Sequence, residues 1–123
     1  MRFRRSGGQM AAMPKTARAL VAGACYHLIN RGNNRATIFH GDEDYAAFVD
    51  LLSAAQKHAR LALFAVCLMP NHFHVVASPA SSTDVSRWMH WLLTTHASRF
   101  QMKHGTTGRV WQGRFKAFPI EQD

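Results

Sequence analysis

The apolar positions of this chain change period along its length, and each change marks an element. Residues 24–30, Ala-Cys-Tyr-His-Leu-Ile-Asn, are rich in aromatic and β-branched types, which predicts a first strand. Arg31-Gly32-Asn33-Asn34-Arg35 follows as a polar cluster, in which glycine and asparagine supply the positive φ that tight turns need. From Asp42 to about Lys57, Tyr45, Phe48, Leu52 and Ala55 recur at helical spacing and predict a helix with one apolar stripe. Acids at its start and Lys57, His58 and Arg60 at its end suit the helix macrodipole. Leu61 to Leu68 is apolar on both faces, which predicts a central strand. Pro70-Asn71 fits a tight turn, and His72 to Ala77 then forms the antiparallel partner. Ser81 or Ser82 is placed to cap a second helix running to about Met102 and stopped by Gly105. Val85, Trp88, Met89, Leu92 and His96 share its inner face, and Arg109 to Phe118 alternates as a last strand or extended arm.

The order β-α-β-β-α-β predicts a ferredoxin-like fold of the α/β (α+β) class, with one antiparallel sheet and the helices on one face. A length of 123 residues fits one domain, and 47% hydrophobic content fits a globular one. Residues 1–13 read as a basic mobile leader and residues 14–123 as the domain, with Met13 an alternative start. Ala19 to Cys25 is too short for a signal peptide, and no apolar run is long enough to span a membrane. Cys25 and Cys67 sit in apolar runs and read as buried free thiols, consistent with a cytoplasmic protein.

Charge changes the picture further. The net charge is +8, and no acid precedes Asp42 or falls between Asp84 and Glu121. Arg31, Arg35, Arg87, Arg99, Lys103, Arg109, Arg114 and Lys116 lie in those acid-free stretches. Such segregation points to a basic surface for a polyanion, most simply nucleic acid.

The candidate chemistry lies in Leu68-Met69-Pro70-Asn71-His72-Phe73-His74-Val75-Val76. On a strand, residues i and i+2 share a face about 6.6 Å apart, so two imidazoles converge toward one divalent cation. Phe73 and Val75 then point the other way, into a core. His96 reads as a hydrogen-bonded, partly buried helix histidine, and His27 as a strand residue beside the histidine strand. Trp88 and Trp91 read as core or half-core. Trp111, between Arg109 and Arg114, has the mix of cation and π surface that single strands favour, with packing against the second helix as the alternative. Arg31, Asn33, Asn34 and Arg35 either grip phosphates and bases or serve the turn's backbone alone.

Four segments together resemble the single-tyrosine HUH transposases, above all the REP-associated tyrosine transposases and their insertion-sequence relatives. They are Tyr26 to Arg35, Leu68 to Val76, Arg99-Phe100 with Lys103-His104-Gly105 and Gly108, and Arg109-Val110-Trp111-Gln112-Gly113-Arg114-Phe115-Lys116. The resemblance implies single-strand DNA cleavage and rejoining beside hairpins, through a tyrosine that becomes a phosphotyrosine. It implies a divalent cation, Mg²⁺ or Mn²⁺, held by His72 and His74. Single-stranded or hairpin DNA is the partner it implies, and from their charge, turn chemistry and ring surface the contacts are expected at Arg31, Asn33, Asn34, Arg35, Arg109, Trp111, Arg114 and Lys116. The family's tyrosine lies on a helix after the last strand, in a Tyr-x-x-x-Asn pattern that does not occur through Asp123. Tyr26 and Tyr45 match neither that pattern nor that place. The expectation is therefore a domain over residues 14–123 that lacks the tyrosine helix, as a fragment, a degenerate gene or one part of a split protein. No catalytic residue is assigned within the chain. A second copy, or a C-terminal fragment in trans, is the protein partner this implies. A non-catalytic DNA-binding remnant is the competing reading. An HxH metallohydrolase is the weakest, because the further aspartates usual there are lacking.

Overall fold

Only Pro70 and Asn71 separate two apolar runs, and a connection that short forces the strands on either side to pair with each other. The computed structural model, which describes residues 3–5 and 20–122, shows that hairpin as strands β3 (Leu61–Met69) and β4 (His72–Pro79). The remaining elements are β1 (Phe3–Arg5), β2 (Cys25–Arg31), α1 (Asp42–Ala55), α2 (Asp84–His104) and β5 (Lys116–Gln122). The sheet is antiparallel in the order β1-β5-β2-β4-β3. Its four main strands, β5-β2-β4-β3, with the two helices, make the ferredoxin-like α+β arrangement. The leader expected over residues 1–13 lies outside the described residues except for Phe3–Arg5, which pairs with β5.

Burial follows the strand period. On β4, Phe73, Val75 and Ala77 are fully buried while His72, His74, Val76 and Ser78 are half-buried. On β2, Tyr26, Leu28 and Asn30 face inward. Both helices cover that inner face, with Phe48 of α1 and Trp88 and Leu92 of α2 fully buried. The rings of Phe48 and Phe73 meet at a tilt, with centroids 5.2 Å apart, and join helix to sheet. The helix ends are tied too. Lys103 lies 2.6 Å from Asp44 and 3.6 Å from Glu43. Burial alone would raise the Asp44 carboxyl, but hydrogen bonds from Lys103 and the His40 backbone N–H hold it below its ordinary value. Gly105 ends α2 in the left-handed conformation, φ 63°, as the sequence implied.

Several local expectations are corrected. β3 is an edge strand rather than a central one, because β4 is its only sheet neighbour among the described residues. Its apolar side chains are therefore largely exposed, Phe64, Val66 and Met69 among them. Cys67 is exposed and Cys25 is buried, where both were expected to be buried. The last strand begins at Lys116, and residues 109–115 run irregularly across the core. The expected serine cap of α2 is replaced by a reversed contact, the Ser81 N–H donating to the Asp84 carboxylate at 2.7 Å.

His96 is buried as expected, but its Nδ1 has no hydrogen-bond partner. It sits among the rings of Phe39, Phe48, Phe100 and Trp111. Burial pushes its imidazole down from 6.5 to about 4, against a smaller pull upward from Asp44. The unfolded chain binds this proton more readily than the folded one, so the contribution is complete above 6.5 and is lost as pH falls toward 4. Denaturant unfolding should lose on the order of 3 kcal/mol through this residue across that window. The variant His96→Leu should flatten that part of the stability curve, and an unchanged slope in the variant would contradict the assignment.

Candidate metal and nucleic-acid face

The face of the sheet turned away from the helices is read directly from the strand register. One row across it is Met69–His72–Arg31, the next Cys67–His74–Ile29–Lys116, and the next Ala65–Val76–His27–Phe118. The histidine pair therefore stands on β4 beside β2, on the side opposite Phe73 and Val75, as the spacing implied. Their ring centroids are 5.0 Å apart.

Each histidine is held by a neighbour through Nδ1. His72 Nδ1 lies 2.7 Å from Asn71 Oδ1. His74 Nδ1 lies 2.8 Å from His27 Nε2, with the ring centroids 5.0 Å apart and the ring planes 27° from parallel. His27 lies diagonally across from His74 and is flanked on its far side by Phe118, 5.9 Å away. Sequence reasoning placed His27 near this strand without finding the contact; the diagonal relation of two outward-facing histidines was its only signal. The pair fits a divalent cation as far as it goes, since two imidazoles on one face are suitable donors. Among the described residues, no group of three or more His, Cys, Asp or Glu is arranged to hold a metal.

The expected DNA contacts separate into two kinds. Arg31, Arg114 and Lys116 line one cleft of about 490 Å³, together with Ile29, Asn30, Gln112, Gly113 and Phe118. The cleft adjoins the histidines, because Arg31 pairs with His72 and Lys116 pairs with Ile29, which itself pairs with His74. Asn30 shapes it from below, donating through Nδ2 to the Gly113 carbonyl at 3.0 Å. Arg109, Asn34 and Arg35 are exposed, and Asn33 is half-buried.

Trp111 departs from the stacking reading. It is only 5% exposed, and its ring meets Phe73 edge-on at 5.3 Å and His96 at 5.2 Å. A ring packed that way offers no face to a base, so the packing alternative holds.

The turn after β2 has strong backbone reasons of its own. A Cβ at Gly32 would collide with the Ala36 carbonyl oxygen and the Ile38 side chain. Asn34 and Arg35 both take positive φ, 56° and 57°. The turn is stitched to the irregular segment by Asn33 N–H to the Val110 carbonyl and Gln112 N–H to the Arg31 carbonyl, each 2.9 Å.

The tyrosines lie elsewhere. Tyr26 points into the core, its hydroxyl accepting from the Val21 N–H at 2.8 Å. Tyr45 stacks on Phe39 at 4.9 Å, on the helix side of the sheet. Neither shares a face with His72 and His74.

No curated protein sequence matches the chain. Solved structures that share its fold include the following two. One is a REP-associated tyrosine transposase bound to a REP hairpin, with TM-score 0.65 and 18% identity, covering 90% of this chain and 64% of that one. This chain thus spans less than two thirds of that relative's length. The other is a protein from Deinococcus radiodurans assigned as a transposase, with TM-score 0.62 and 22% identity, covering 85% of this chain and 84% of that one. The family described as "Transposase IS200 like" matches residues 21–123, so the chain belongs to the IS200-like transposase family.

Proposed function

We propose that this chain supplies the DNA-gripping and metal-holding face of a transposase that acts on single-stranded or hairpin DNA. The observation that carries this reading is the juxtaposition on one sheet face of the His72–His74 pair and the cleft lined by Arg31, Arg114 and Lys116. A strand laid along the cleft would set its phosphates against the cations and bring one of them over the histidines. When bound, a divalent cation at that pair would polarise a phosphate oxygen and favour attack at phosphorus. The chain's own part is to orient the strand, hold the two imidazoles, and present positive charge to the backbone. The hairpin-bound REP transposase supports the choice of partner.

The nucleophile is a separate matter. Both tyrosines of this chain lie on the helix side of the sheet, so the residues described here offer none at the histidine face. The DNA-binding reading rests on these residues alone, whereas cleavage needs a tyrosine from outside residues 20–122.

Binding should be strongly salt-dependent, because phosphate contacts release counterions. The triple variant Arg31→Ala, Arg114→Ala, Lys116→Ala should flatten the slope of log K against log salt by about 2 to 3, measured by fluorescence anisotropy with a labelled hairpin oligonucleotide. An unchanged slope would remove the cleft from the interface.

With Mg²⁺ or Mn²⁺, the 123-residue chain alone should form no covalent adduct with a hairpin oligonucleotide on a denaturing gel. Adding a tyrosine-bearing helix from a family member, fused or in trans, should produce the adduct. A covalent band from the chain alone, lost in Tyr26→Phe or Tyr45→Phe, would show that the nucleophile lies within it. No adduct even with the added helix would leave the DNA-binding reading and remove the catalytic one.

A further inference from the structure

We propose that Asn71 and His27 are positioning residues that fix which ring nitrogen each of His72 and His74 turns toward a metal. The inference rests on the metal reading above and extends it to two residues outside the ligand pair.

Arg35 is held with positive φ, and its carbonyl accepts a hydrogen bond from Asn71 Nδ2 at 3.4 Å. The NH₂ end of the Asn71 amide faces that carbonyl, since only that end can donate to it. Oδ1 is therefore the atom 2.7 Å from His72 Nδ1, and it can only accept. His72 must carry its proton on Nδ1, which places its lone pair on Nε2.

The second histidine has the same arrangement with a different partner. His74 Nδ1 faces His27 Nε2 at 2.8 Å, so one nitrogen donates and the other accepts. If His74 is to match His72, its Nδ1 donates, its lone pair lies on Nε2, and His27 keeps its own proton on Nδ1. A metal-binding imidazole is commonly held this way, its other nitrogen donating to a neighbour that fixes tautomer and ring plane. His27 cannot itself complete a three-histidine site here, because its Nε2 is turned onto His74 and no such group forms. Its place between Phe118 and His74 suits a support.

The turn that follows β2 thereby gains a role besides phosphate contact. Gly32 permits the tight path, Asn34 and Arg35 take the left-handed conformations, and the Arg35 carbonyl reaches Asn71. Two stretches far apart in sequence, the turn at residues 32–35 and the Pro70-Asn71 turn, are linked twice, by the Gly32 N–H donating to the Asn71 carbonyl at 2.9 Å and by the Asn71 side-chain amide.

Two measurements on the full chain test this. The first is ring ¹⁵N correlation spectroscopy of the metal-free protein at pH 8, above the ordinary imidazole value of about 6.5. His72 and His74 should both show a protonated Nδ1 and an unprotonated Nε2, and Asn71→Ala should leave His72 as a tautomer mixture. The second is Mn²⁺ titration followed by electron paramagnetic resonance. Asn71→Ala and His27→Ala should each weaken binding 10–100-fold, roughly the usual cost of losing such a partner. Asn71→Asp and His27→Gln retain an acceptor and should stay near the parent affinity. Proton on Nε2 of either histidine in the parent protein would overturn the proposal. So would alanine variants that bind Mn²⁺ as tightly as the parent. If the parent binds no Mn²⁺, the metal reading itself fails, and the ring spectra still decide whether Asn71 and His27 set the tautomers.

Discussion

The structure depends on the phase of β4. This strand is hydrogen-bonded on both sides, to β2 and to β3, and its inward side chains Phe73, Val75 and Ala77 are fully buried. A slip of one residue would exchange these with His72, His74 and Val76 and drive two imidazoles into an apolar core. Truncating a buried phenylalanine such as Phe73 costs about 3–5 kcal/mol in typical cores, so the register is strongly specified. The histidines are outward because the core requires their neighbours inward. Their position follows from packing, and the chemistry is placed on it.

The basic cleft depends on packing in the same way. Trp111 is anchored against Phe73 and His96, and its backbone bridges to Gly32. That anchor fixes the irregular segment at residues 109–115 across the end of β2, and Asn30 pins Gly113 beside it. Arg114 and Lys116 follow directly and are exposed. A residue that sequence context offered as a stacking platform thus acts from the inside, by holding the strip that carries the cations. Flanking charge could not reveal this, because Arg109 and Arg114 frame Trp111 equally well whether its ring faces a base or a core.

The elements with a clear period were legible from sequence, as were the Pro70-Asn71 hairpin and the outward histidine pair. Misread positions were those where tertiary placement overrides local pattern. β3 is apolar on both faces, which pattern alone assigns to a sheet interior, yet the order β5-β2-β4-β3 leaves it at the edge. Cys67 was misjudged for the same reason. The contacts of Asn71 and His27 were out of reach, since one depends on a carbonyl 36 residues away and the other on a partner 47 residues away. The backbone demands at Gly32 and Arg35 were only half visible: the cluster reads as a turn, but the collision that excludes a side chain at Gly32 needs the fold.

Charge sorts by face rather than only by stretch of sequence. The acids that open α1 lie on the helix side, where Asp44 receives Lys103 and the His40 backbone N–H. The outward rows of the sheet, from Met69, Cys67 and Ala65 across to Lys116 and Phe118, contain no aspartate or glutamate. They mix Arg31 and Lys116 with imidazoles and with apolar side chains such as Ile29 and Phe118. A purely cationic surface would bind any polyanion, whereas cations interleaved with flat apolar side chains suit a strand whose bases are unstacked. A carboxylate among these rows would repel a phosphate and compete for a cation beside the histidines. Rows free of carboxylates are what the proposed strand and metal sites both require of this face.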